Sequence, residues 1–242
     1  KTDSDGDGLS DGSDAYPLYY CSSDYIGASQ PEIDGVILAG EYTQLIRYNT
    51  QYPSVIYASF STDKLYIAID QSSIREIELN IDAHQDGWEA QGVKNYRLSI
   101  TPLANNAVTV TGANYDGWPP WEGIDVSAIT AKCTSRTGGC VVELAIPTSV
   151  FPPCVFGDGS SIRMTFYGWN DQSSKVNVFN GLAGAPAFIT FRFDSSFTDM
   201  KASNPVPANG ASNVDAVSAD LSWTAGIGAT SHDIYFGTTN SP

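Results

Sequence analysis

The chain has 242 residues, with 27 Asp and Glu against 12 Lys and Arg, for a formal net charge of −15. That balance repels nucleic acid and anionic membranes and favours cations. Hydrophobic residues make up 42% and charged residues 16%, a globular rather than a disordered composition, and no run reaches the roughly 18 apolar residues of a membrane span.

The chain is long enough for one full core and a second module. It divides into an Asp-rich spacer and connector over 1–30, a strand-rich segment over 31–200, and a linker with new strands over 201–242. Lys1 opens directly into an acidic loop without a signal peptide, which reads as a processed or recombinant fragment.

The first motif is the run from Asp3 to Asp14. Asp3, Asp5, Asp7, Asp11 and Asp14 stand at loop positions 1, 3, 5, 9 and 12, with Gly8 at position 6 and the Leu9 carbonyl at position 7. This spacing wraps a short chain around one hard cation with six or seven oxygens, so Ca2+ is the expected ligand. Position 12 is Asp and no flanking helices are visible, unlike an EF-hand. The loop resembles a thrombospondin type-3 repeat, which implies a structural calcium that stiffens a spacer between modules.

Over 31–200 the pattern is nearly all β. Alternation marks strands at 55–60, 64–70, 77–82, 95–101, 107–111, 141–146, 162–169 and 188–193, punctuated by Gly, Pro and Asn. One short turn at 147–151 is the sole helical candidate. Such a series predicts an all-β, two-sheet antiparallel sandwich of jelly-roll type.

Strand phase assigns faces. Ile77, Leu79 and Ile81 share one side, with Glu78, Asn80 and Asp82 on the other. Tyr96, Leu98 and Ile100 oppose Asn95, Arg97 and Ser99, and Ile162, Met164 and Phe166 oppose Arg163, Thr165, Tyr167 and Trp169. The non-core face of one sheet therefore presents Glu78, Asn80, Arg97, Tyr167 and Trp169 together. Carboxylate, amide and guanidinium groups bind hydroxyls while ring faces cover the C–H side of a pyranose, so the pattern suits a polysaccharide or oligosaccharide. The same pattern also fits a plain surface Glu78–Arg97 pair beside a small satellite core.

Four cysteines, Cys21, Cys133, Cys140 and Cys154, form no C-x-x-C pair. Cys133 and Cys140 bracket a turn composition, which predicts a bridge across a hairpin and leaves Cys21 to pair with Cys154; the competing reading is four buried free thiols. Two disulfides imply an oxidising, extracellular compartment.

The middle segment resembles family 9 carbohydrate-binding modules over about residues 31–194. The ordered pieces are Ile33-Asp34-Gly35 with Glu41-Tyr42, Leu65–Asp70, Ile77–Asp82, Tyr96-Arg97-Leu98, Val141–Pro147 and Gly168–Asp171. The resemblance implies that Glu78 and Arg97 hydrogen-bond a terminal sugar, and that a structural calcium lies within the sandwich, with Asp34, Glu41, Asp70 and Asp171 as candidate ligands. The chain departs from the family at the sugar clamp. One expected tryptophan falls at Ser72, and Phe179 stands near the other. Trp88, Trp118 and Trp121 lie in long loops instead and are the alternative ring platform; the competing reading has them folded over one end of the sandwich.

Residues 204–210, 219–223 and 232–237 resemble the opening of a fibronectin type III domain, which needs about 100 residues in full. The incomplete piece predicts packing against the sandwich or self-association by strand addition.

Catalysis is not expected. His84 and His232 have no G-x-S-x-G, H-E-x-x-H, P-loop or G-x-G-x-x-G setting. Glu78 and Asp82 lie four residues apart on a strand, about 13 Å, too far for glycoside hydrolysis. The expected function is non-catalytic carbohydrate binding by a secreted, bacterial, multi-modular protein whose partners are glycans and neighbouring modules. The alternative is a structural or adhesive segment of a cell-surface or filament-forming protein.

Overall fold

The computed structural model describes residues 19–21, 25–48, 54–72, 76–85, 95–103, 105–115, 122–169, 175–177, 188–197, 203–207 and 220–224. The strands, numbered in chain order, are β1 (Tyr19–Cys21), β2 (Tyr25–Ile26), β3 (Thr43–Tyr48), β4 (Ser54–Phe60), β5 (Lys64–Gln71), β6 (Ile77–Asp82), β7 (Asn95–Pro102) and β8 (Val108–Tyr115). They continue with β9 (Glu122–Gly123), β10 (Thr130–Arg136), β11 (Gly139–Pro147), β12 (Ser161–Trp169), β13 (Lys175–Asn177) and β14 (Ile189–Phe193). One 3-10 turn, Thr148–Val150, follows β11 where a short turn was expected. No helix is long and apolar enough to cross a membrane among the described residues.

One sheet, A, runs β1-β3-β4-β5-β11-β10, and the other, B, runs β2-β14-β12-β6-β7-β8-β9 with β13 also on β12. Among the described residues every ladder of these two sheets is antiparallel except β14 with β2. The two sheets form a β-sandwich, as the strand pattern predicted. Alternation places the inward residues: Ile77, Leu79, Ile81, Tyr96, Leu98, Ile100, Ile162, Met164, Phe166, Phe191 and Phe193 from sheet B are all buried. They pack against Ile56, Phe60, Leu65, Ile67, Ile69, Val142, Leu144 and Ile146 of sheet A. Burial of this apolar surface supplies the main driving force, about 25 cal/mol per Å² removed from water.

Three strands escape the simple alternation. In β3 a register shift between Gln44 and Ile46 buries the consecutive Leu45 and Ile46 completely, so a bulge defeats the period of two. β1 and β2 are too short to show a period, yet they add edges to both sheets. Residues 19–21 and 25–26, read from the sequence as connector, are therefore strands of the sandwich, and Ile26 is fully buried.

The outer face of sheet A is covered by the chain itself. Ile33, Ile37 and Tyr42 pack with Tyr57, Tyr66, Ala68 and Ala145 into a second apolar cluster. Its anchor is Glu143, fully buried on β11. One carboxylate oxygen accepts the Tyr42 hydroxyl at 2.7 Å. The other accepts the backbone N–H groups of Asp34 at 3.1 Å, Gly35 at 2.5 Å and Val36 at 3.1 Å. Gly35 has φ +89°, and a Cβ there would collide with Thr134, so only glycine brings this turn onto the strand. Burial pushes the Glu143 carboxyl above the ordinary carboxylate range, against the pull of Tyr42 and the backbone N–H groups.

The cysteine expectation is corrected. Cys133, Cys140 and Cys154 are free thiols, so neither the Cys133–Cys140 nor the Cys21–Cys154 bridge is formed. Register sets the relation of the first two. The turn pairs Arg136 with Gly139, so Cys140 faces Ser135 and Cys133 faces Val142. The two cysteines are diagonal rather than directly opposed, and their thiols lie close enough to hydrogen-bond without being bridged. Gln71 donates to the Cys140 sulfur at 3.2 Å. Burial pushes the Cys140 thiol up to about 11 and the Cys154 thiol up to about 12.

The chain separates into two compact units, Lys1–Phe197 and Thr198–Pro242. In the second, β15 (Ser203–Val206) and β16 (Ser222–Thr224) pair antiparallel. The third strand expected near 232–237 lies outside the described residues.

Candidate functional site

With the outer face of sheet A occupied by residues 33–42, the outer face of sheet B carries the polar constellation. Its centre is β6, flanked by β12 and β7. Register aligns Tyr167 with Glu78, Thr165 with Asn80, and Arg163 with Asp82 on one side. On the other, Asn80 lies across from Arg97 and Glu78 across from Ser99. The phase that sends Leu79 and Ile81 into the core sends Glu78, Asn80 and Asp82 to this face.

Two ion pairs organise it. Arg97 Nε lies 3.4 Å from Glu78 Oε1, with the Glu78 side chain 5% exposed and Arg97 27% exposed. Arg163 Nη1 donates to Asp82 Oδ2 at 2.7 Å, with Asp82 fully buried and Arg163 32% exposed. Between them the Asn80 amide donates to Glu78 Oε1 at 3.0 Å. That bond fixes the amide orientation and turns Asn80 Oδ1 away from the carboxylate. Asn80 Oδ1 and Thr165 Oγ1 are both buried without a hydrogen-bond partner. Each such atom costs about 1–3 kcal/mol when unmet, a price that folding alone does not explain. Replacing Thr165 by valine is accordingly expected to raise folding stability, by up to about 1 kcal/mol, measured as a shift of the urea midpoint.

An aromatic ring stands beside the first pair. Tyr167 is half-buried, and burial followed by the negative charge of Glu78 pushes its phenol above the ordinary value while Arg97 pulls it back. A second ring, Phe188, lies under the guanidinium of Arg163 at 5.5 Å.

Sequence reading expected an open patch. Glu78 and Asn80 are instead deep-set, and Arg97, Arg163 and Tyr167 carry the accessible surface. Trp169 ends β12 across from Lys175. Trp88, Trp118, Trp121 and Phe179 lie outside the described residues, as do the loop ligands Asp3, Asp5, Asp7, Leu9, Asp11 and Asp14. Candidates for a calcium within the sandwich are otherwise engaged. Asp34 accepts the Val36 N–H, Glu41 accepts the Leu38 N–H, and Asp70 pairs with Arg136; Asp171 is outside the described residues. Among the described residues no group of three or more His, Cys, Asp or Glu is placed to hold a metal. The pairing of Asp82 with Arg163 was not read from the sequence, although strand phase already put both on this face; only the register brings them together.

The sequence matches no protein-family model and no curated protein. Among solved structures, one of a family 9 carbohydrate-binding module from Caldicellulosiruptor kristjanssonii in complex with glucose is similar, with TM-score 0.51 and 16% identity, covering 72% of this chain and 96% of that one. Another of such a module from the same organism, in complex with cellotriose, has TM-score 0.51 and 15% identity, covering 79% of this chain and 98% of that one. The likeness is one of fold: the chain is a β-sandwich of the architecture found in family 9 carbohydrate-binding modules.

Proposed function

We propose that this protein binds carbohydrate without catalysis, through the outer face of sheet B. The observation that carries the reading is the Glu78 carboxylate, held by Arg97 at 3.4 Å and Asn80 at 3.0 Å beside the Tyr167 ring. A carboxylate and a guanidinium side by side accept from and donate to adjacent sugar hydroxyls, and the ring offers a C–H surface. The solved modules of similar fold, described in complex with glucose and cellotriose, support the same ligand class.

The proposal extends to context. The protein is an extracellular, multi-modular one, and the loop of Asp3, Asp5, Asp7, Leu9, Asp11 and Asp14 holds a structural calcium that stiffens its spacer. Oxygen-donor spacing supports that assignment. Calcium bound there would supply charge neutralisation to five carboxylates close in sequence.

Titration of tryptophan fluorescence with glucan, xylan and mannan oligosaccharides, with and without a calcium chelator, tests the reading. At least one glycan is expected to bind, and Glu78→Ala or Arg97→Ala to weaken it by about 2–5 kcal/mol, roughly thirty-fold or more in Kd. A flat response to every glycan would overturn sugar binding. Such a response together with concentration-dependent dimerisation would favour the structural or adhesive reading. That alternative draws on Val206 and Leu221, which are 57% and 51% exposed beside the β15–β16 pair.

A further inference from the structure

Glu78 and Arg97 occupy one end of a longer row. Along β12 the outward residues Tyr167, Thr165, Arg163 and Ser161 follow one another, spanning six residues or about 20 Å. Each has polar company. Tyr167 aligns with Glu78, Thr165 with Asn80 and Arg163 with Asp82, and the Ser161 hydroxyl is linked to the Gln85 side-chain amide at 3.0–3.1 Å. At its far end the row opens into a hollow of about 240 Å³ lined by Tyr25, Asp158, Ser160, Ser161 and Arg192 among others. There the Arg192 guanidinium lies over the Tyr25 ring at 5.9 Å.

We infer that this row is an extended saccharide track, running from the Glu78–Arg97 pair past Asn80, Thr165, Asp82 and Arg163 to the hollow beside Tyr25. The inference rests on the reading of this face as sugar-binding and adds the class of ligand: a neutral oligosaccharide chain rather than a single terminal sugar. Three observations converge. The Asp82–Arg163 pair with the Phe188 ring repeats the carboxylate, guanidinium and ring chemistry of Glu78, Arg97 and Tyr167. Between the two sets, Asn80 Oδ1 and Thr165 Oγ1 are buried and unpartnered. Register puts them side by side, and since neither atom is accessible as the side chains stand, a sugar hydroxyl would donate to Asn80 Oδ1 and meet Thr165 Oγ1 only after the side chains covering them shift. The charges of Glu78, Asp82, Arg97 and Arg163 cancel, which disfavours uronic-acid or sulfated chains.

The test is a chain-length series on the full chain by calorimetry, using glucose, cellotriose and cellohexaose, and the matching xylose and mannose ladders. In the ladder that binds, affinity is expected to rise about ten-fold or more from monosaccharide to hexasaccharide. Thr165→Val, which removes the unmet hydroxyl without opening a cavity, is expected to bring that ratio to within about two-fold of one. Arg163→Lys retains a cation for Asp82 but loses the planar fork, and is expected to reduce the ratio as well. Arg192→Ala is expected to reduce the hexasaccharide gain more than the trisaccharide gain. Equal affinity across the ladder would overturn the track, and so would a Thr165→Val variant that weakens every member by the same factor. If no member of any ladder binds, the sugar-binding reading itself falls, a different outcome from length-independent binding.

Discussion

Glu143→Ala is expected to destabilise the sandwich by about 4 kcal/mol, a larger effect than removal of a typical outward-facing carboxylate. Glu143 faces away from the main core yet is fully buried, and it accepts four hydrogen bonds, three of them from consecutive backbone N–H groups of residues 34–36. Truncation leaves those donors and the Tyr42 hydroxyl without their acceptor beneath an apolar cap. The cap of Ile33, Ile37 and Tyr42 then loses its anchor on Tyr66, Ala68 and Ala145. Tyr42→Phe removes one of the four bonds and is expected to cost about 1.5–3 kcal/mol. Urea denaturation followed by tryptophan fluorescence measures both. A Glu143→Ala midpoint unchanged from the parent protein would show that residues 31–42 are held by apolar contact alone.

Arg163→Met is expected to cost about 3 kcal/mol, the lower end of the range for breaking a buried ion pair, because Arg163 is one-third exposed. Its partner Asp82 is fully buried, and the substitution takes the Arg163 guanidinium away from that carboxylate. Combining it with Asp82→Leu removes both charges, and most of the loss is expected to return, since a matched apolar pair avoids the desolvation cost. The double-mutant cycle isolates the coupling between the two residues. If Asp82→Leu in the Arg163→Met background restores nothing, the pair is not what stabilises this end of β6.

On the proposed reading the same face serves two ends. A protein selected for stability alone would place apolar residues at 80 and 165, as the expected gain from Thr165→Val illustrates. The buried amide oxygen and hydroxyl without hydrogen-bond partners are what that reading assigns to a ligand.

Much of this arrangement is written in local pattern. The strand runs at 77–82, 95–101 and 162–169 alternate cleanly, because each has one face in the core and one outside it, and a one-residue slip would exchange the two. From that alternation alone, Glu78, Asn80, Asp82, Arg97, Arg163, Thr165 and Tyr167 fall on one side of their strands. The sandwich class follows from many short alternating runs separated by turn residues. Other features required the folded chain. Strand order decides which outward residues are neighbours, and it set β6 between β12 and β7 so that Asp82 met Arg163. Hairpin register made Cys133 and Cys140 diagonal instead of opposed. A bulge hid β3 from the period-two pattern. The role of Glu143 depends on a segment more than one hundred residues earlier in the chain, 107–109 positions from its backbone donors. Periodicity reports which way a side chain points relative to its own strand, since that depends only on local backbone geometry. Its partners are set by long-range pairing, and that is why the face could be read from the amino acids while the contacts within it could not.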